Sequence, residues 1–162
     1  MHVVVVAILA LLAALWQCGP LALWPVAPDL GAAVAAYLVT RVDNHRLLLR
    51  LWVVGLMRDV IDPGATIVYG LLYIVAALGL TAARDHLPSW VVARVSVVAA
   101  ALALILRLAD IWWSGMGGES PVGLLLRALF TAGVACGLLL LLGPGRGMAG
   151  AQGQSVRTAV VT

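Results

Sequence analysis

Between Pro121 and Leu142 the chain carries a single charge, Arg127, in an otherwise apolar run rich in Leu, Val, Ala and Gly. A helix needs about 20 residues at 1.5 Å rise each to cross the hydrocarbon core of a bilayer, and this run is long enough. Gly64 to Ala83 and Pro88 to Leu106 are two more such stretches. Pro63, Pro88 and Pro121 stand at or just before the three starts, where a missing backbone N–H costs a helix least. The composition extends the same constraint to the whole chain of 162 residues, which is 64% hydrophobic and 10% charged, with a mean hydropathy of +1.09. Soluble domains are about 45–50% apolar and about 25% charged. A water-soluble globule is excluded, and the length holds at most about six spans with no room for a soluble catalytic domain.

Three further apolar segments precede the long ones. Val3 to Trp16 ends at Gly19-Pro20; it lacks the basic start and small-residue cleavage site of a signal peptide, and it reads as a retained first helix. The second, Pro28 to Thr40, and the third, Leu47 to Met57, are each too short to cross the core alone. They must borrow polar flanks, thin the bilayer, or be shielded by other helices. The expectation is an all-α integral membrane protein, a six-helix bundle over 1–142 with short second and third helices. The Gly-rich 143–162 then forms a flexible cytoplasmic tail.

All ten basic side chains are Arg, and their distribution gives the orientation. With the N-terminus in the cytoplasm, Arg41, Arg46, Arg50, Arg84, Arg94, Arg146 and Arg157 fall inside, while Arg58, Arg107 and Arg127 fall outside. Both termini are then cytoplasmic. Trp24, Trp112 and Trp113 fall near the outer boundary and Trp90 near the inner one, as in an aromatic belt. The charge is too scattered for a nucleic-acid footprint.

Few residues carry chemistry. The densest polar stretch is Arg58-Asp59-Val60-Ile61-Asp62-Pro63-Gly64, joining the third and fourth segments. Arg58 and Asp62 have the i,i+4 spacing of an ion pair if the helix continues, and Asp62 suits the cap of the next helix. Arg107 and Asp110, three apart, can pair on one helical face under Trp112 and Trp113. Arg50 and Arg127 can snorkel to the interfaces, or, if turned inward, mark a polar cavity or a partner's acidic group. Gly133 and Gly137 form a GxxxG that suits close helix packing, within the bundle or between two copies. Cys18 and Cys136 have no CxxC spacing and read as small buried hydrophobes. His2, His45 and His86 have no metal-ligand spacing, and no catalytic motif is present, so neither a metal nor a cofactor is expected.

The stretch Trp24-Pro25-Val26-Ala27-Pro28-Asp29-Leu30, then Gly55-Leu56-Met57-Arg58-Asp59-Val60-Ile61 leading into Asp62-Pro63-Gly64, resembles the rod shape-determining protein MreD family. The resemblance implies a non-catalytic inner-membrane subunit of the cell-elongation machinery. Its partner would be an MreC-like bitopic protein, and through it MreB-like filaments, RodA and a class B penicillin-binding protein. The implied fold is similar to the six-helix substrate-binding subunits of energy-coupling-factor transporters. Pro28, Asp29, Gly55, Arg58, Asp59, Asp62 and Gly64 would then shape an outer turn or bind the partner. The alternative is a substrate-binding subunit of a vitamin or small-molecule transporter, although one Phe and three Tyr are few for a ligand cavity.

Overall fold

Local chemistry sets the helix ends. Gly19 follows the first helix, and its N–H reaches the Leu15 carbonyl at 3.0 Å; a Cβ there would come within 2.9 Å of that oxygen. Pro20 then opens a 3-10 turn over Pro20–Leu23, and the backbone leaves it extended at Trp24. Ser120 caps the last helix, accepting the Gly123 N–H at 3.1 Å, with Pro121 in the first helical position.

The computed structural model describes residues 3–24, 26–41, 44–61, 69–82, 90–114 and 120–142. Besides the 3-10 turn these residues form six helices: α1 Val3–Cys18, α2 Leu30–Arg41, α3 Asn44–Ile61, α4 Tyr69–Ala82, α5 Val91–Ser114 and α6 Pro121–Leu142. No strand occurs among them. Two helices, over Val91–Trp112 and Pro121–Leu142, are long and apolar enough to cross a membrane by length and composition. Large apolar side chains face outward on α1 and α6, among them Ile8, Leu15, Leu129 and Leu140. An all-helical chain with such faces is consistent with a membrane protein. The proposed tail, 143–162, lies outside the described residues.

The third helix is not short. α3 has 18 residues, about 27 Å at 1.5 Å per residue. The apolar run Leu47 to Met57 underestimates it because the helix carries Arg46, Arg58 and Asp59 in its end turns. Likewise α5 continues past Leu106 through Arg107, Asp110 and Trp112. Charges in end turns lengthen both helices beyond their apolar cores.

The second helix is short, with 12 residues, or about 18 Å. It is the centre of the bundle, touching α1, α3, α4, α5 and α6. Ala32, Ala33, Ala35, Ala36 and Leu38 are completely buried. Alanine leaves only a methyl at the contact, so five neighbours approach one helix closely. Of the three accommodations expected for a short helix, the packing supplies shielding by other helices.

The α3–α4 crossing depends on glycine. A Cβ on Gly55 would lie 2.3 Å from the Gly70 Cα and 2.6 Å from its nitrogen, so the backbones touch there. A Cβ on Gly70 would meet nothing nearer than the Trp52 ring at 3.4 Å and the Asp59 carboxylate at 3.7 Å among the described residues. Gly133 and Gly137 differ: a Cβ on either meets nothing within 4 Å among the described residues. Their GxxxG makes no close helix approach among the described residues.

The asymmetry of the crossing is testable. Gly55→Ala should lower the thermal midpoint in detergent strongly, by several degrees or more, because backbone cannot yield. Gly70→Ala, Gly133→Ala and Gly137→Ala should each change it little. Equal loss in Gly55→Ala and Gly70→Ala would contradict the packing.

Candidate functional site

One end of the bundle gathers the start of α2, the end of α3, the start of α4 and the end of α5. Asp29 begins the site as the cap of α2. Its Oδ1 accepts the Ala32 N–H at 2.8 Å, and its carbonyl accepts the Ala33 N–H at 3.0 Å. Its own N–H donates to the Thr131 hydroxyl of α6 at 2.9 Å, and Thr131 passes that bond on to the Arg127 carbonyl at 2.8 Å. The second carboxylate oxygen faces α3.

There Arg58 Nη1 meets Asp29 Oδ2 at 2.7 Å, with side chains 14% and 7% exposed respectively. A charge-assisted bond this short between buried groups is of the strong kind. The same nitrogen lies 3.5 Å from the Tyr73 hydroxyl, and the guanidinium sits 4.0 Å over the Tyr69 ring. Nη2 points to Asp110 of α5 at 3.8 Å. Asp110 in turn lies 3.7 Å from Arg107 on its own helix and accepts the Tyr69 hydroxyl. Two acids and two arginines thus form one chain of opposite charges that sums to zero.

Asp59, beside Arg58, has separate work. Its two carboxylate oxygens accept the N–H groups of Tyr69 at 3.2 Å and Gly70 at 3.1 Å. It holds the first amides of α4 as a cap would, from the helix alongside.

The structure therefore joins what the sequence presents as two separate turns. Asp29, Arg58 and Asp110 converge, the Arg107–Asp110 pair forms, and Pro28 leads directly into the cap. The i,i+4 partner expected for Arg58, Asp62, lies outside the described residues, as does Gly64. Among the described residues Arg58 pairs with Asp29, its side chain turned to the bundle interior. Arg50 is buried as well and does not snorkel. Cys18 is exposed rather than buried, whereas Cys136 lies 3.0 Å from the Ser96 hydroxyl across α5 and α6.

Three participants escaped sequence reasoning. Tyr69 and Tyr73 are two of three tyrosines, spaced i,i+4 on one helix, and that spacing was a readable sign of a shared polar face. Thr131 offered none. Gly31 belongs with Tyr73: a Cβ at Gly31 would lie 2.5 Å from the Tyr73 hydroxyl and 3.3 Å from Asp29 Oδ1. Tyr73 is fully buried, so it cannot swing aside.

Among the described residues no group of three or more His, Cys, Asp or Glu is placed to hold a metal ion. No family model, curated protein or solved structure matches the chain.

The Gly31–Tyr73 contact yields a paired test. Gly31→Ala should destabilise the protein by forcing the phenol from its seat, and adding Tyr73→Phe should recover part of the loss by removing the atom in the way. A double variant no more stable than Gly31→Ala would show that the hydroxyl is not the obstacle. Asp59→Ala should cost about 1 kcal/mol in unfolding free energy, the usual worth of a helix cap.

Proposed function

We propose that the protein is a multi-pass subunit of the bacterial inner membrane, with both termini cytoplasmic, that serves as a non-catalytic scaffold in cell elongation. In this reading it resembles MreD and grips the single transmembrane helix of an MreC-like bitopic protein. Through that partner it would link MreB-like filaments to RodA and a class B penicillin-binding protein.

One observation carries the reading. The two stretches on which the resemblance rests, WPVAPDL and GLMRDVI, are 29 residues apart at their charged members, and those members, Asp29 and Arg58, are bonded to each other. The motif residues are thus mutually dependent parts of one structural joint. Asp29, Arg58, Asp59 and Asp110 all have partners within the bundle, which suits a role in fixing helix positions. The outward apolar faces of α1 and α6 suit a partner helix held by van der Waals packing.

Gentle solubilisation of the tagged protein should retain a bitopic MreC-like protein, and Asp59→Ala should reduce that recovery and disturb cell shape. Repeated recovery without such a protein would contradict the scaffold reading. A vitamin that raises the thermal midpoint when far above its dissociation constant would favour the transporter alternative instead. For topology, a fluorescent protein fused at the C-terminus should fluoresce and an alkaline phosphatase at the same place should be inactive; the reverse pattern would invert the orientation.

A further inference from the structure

The six helices fall into two groups. α3 packs mainly on α1 and α4, while α5 packs mainly on α6 and α2. Among the described residues α3 makes no backbone approach to α5 or α6, and α4 makes none to α6. The boundary between the groups runs along α2, where it meets α1, α3 and α4, and along the α4–α5 contact. The polar cluster straddles that boundary with a fixed polarity. Both carboxylates, Asp29 and Asp110, stand on the α2/α5/α6 side, and Arg58 and the Tyr69 hydroxyl reach them from the α3/α4 side.

The two ion pairs that cross the boundary are unequal. Asp29 meets Arg58 at 2.7 Å and also caps its own helix. Asp110 meets Arg58 only at 3.8 Å, is 22% exposed, and has a second arginine, Arg107, at 3.7 Å on its own helix. If Arg58 and Asp110 part, each keeps an opposite charge, Arg58 that of Asp29 and Asp110 that of Arg107. If Arg58 and Asp29 part, a buried carboxylate loses its nearest cation, which is far more costly. On the α3/α4 side, the Gly55–Gly70 contact, the Asp59 bonds and the Arg58–Tyr69 stacking are all internal, so that pair of helices can move as a unit.

We infer that the α4–α5 seam is a lateral gate, latched where Asp110 meets Arg58 and Tyr69 and hinged at the Asp29–Arg58 pair. Opening separates the Tyr69 hydroxyl from the Asp110 carboxylate and leaves a slot between α4 and α5 at this end of the bundle. The gate does not depend on the scaffold role.

Spin-label distances in lipid nanodiscs test it, on the full chain with Cys18→Ser and Cys136→Ser. One label pair, at Val75→Cys on α4 and Leu108→Cys on α5, both exposed positions, spans the seam. A control pair, at Leu49→Cys on α3 and Val75→Cys, lies within one group. Asp110→Asn should make a longer seam distance the major population while the control distance stays as it was, and Asp29→Asn should not open the seam selectively. An unchanged seam distance in Asp110→Asn overturns the gate, and so does equal broadening of the control pair. If Asp110→Asn does not fold, Tyr69→Phe replaces it: a lengthened seam supports the latch, and an unaltered one overturns it.

Discussion

A guanidinium inside a helical bundle must be answered by an acid, and that requirement organises this protein. Removing a charge from water costs several kcal/mol even after relaxation, and leaving it unpaired in a buried place costs more than most single contacts supply. Arg58 projects inward from the last turn of α3, and Asp29 at the start of α2 answers it. The pair sets where the central helix begins against where its neighbour ends. Gly31 then leaves room for Tyr73, Gly55 lets the α4 backbone touch α3, and Asp59 holds the α4 amides beside that contact. The position of α4 follows from three residues within five positions of each other on α3.

The same economy explains the central helix. A segment of 12 residues would sit badly in a bilayer about 30 Å thick if lipid reached it. Four buried alanines, with Val34, Tyr37 and Leu38 around the rest of the helix, allow five other helices to close around it, so α2 is buried among protein. Its start needs polar partners for free amides, and Asp29 and Thr131 supply them. The cap, the ion pair and the close packing are consequences of placing a short helix in the middle.

Much of this was legible in the sequence. Apolar runs bounded by Gly19-Pro20, Pro28 and Pro121 gave six helices, and the spacing of Arg107 and Asp110 gave their pairing. The ends of α3 and α5 were misjudged because a hydropathy run stops where charges gather, at Arg46, at Arg58-Asp59 and at Arg107 with Asp110, whereas a helix does not. The convergence of Asp29, Arg58 and Asp110 was illegible for a different reason: the distance between helices depends on tertiary packing, and no local spacing encodes it. Small residues shared this ambiguity. Gly31 and Gly55 turned out to be contact points, yet Gly133 and Gly137, in the stronger motif, meet no neighbour among the described residues.

The central claim is that Asp29 and Arg58 act as one unit, and a double-mutant cycle on unfolding measures it most directly. Asn keeps a capping side chain at position 29 while removing the charge, and Met keeps apolar volume at position 58. Asp29→Asn and Arg58→Met should each destabilise by about 2–4 kcal/mol, and the double variant by clearly less than their sum, with a coupling of at least about 1 kcal/mol. Losses that add to within about 0.5 kcal/mol would mean that the two residues stabilise the bundle independently, and the account would be wrong at its centre.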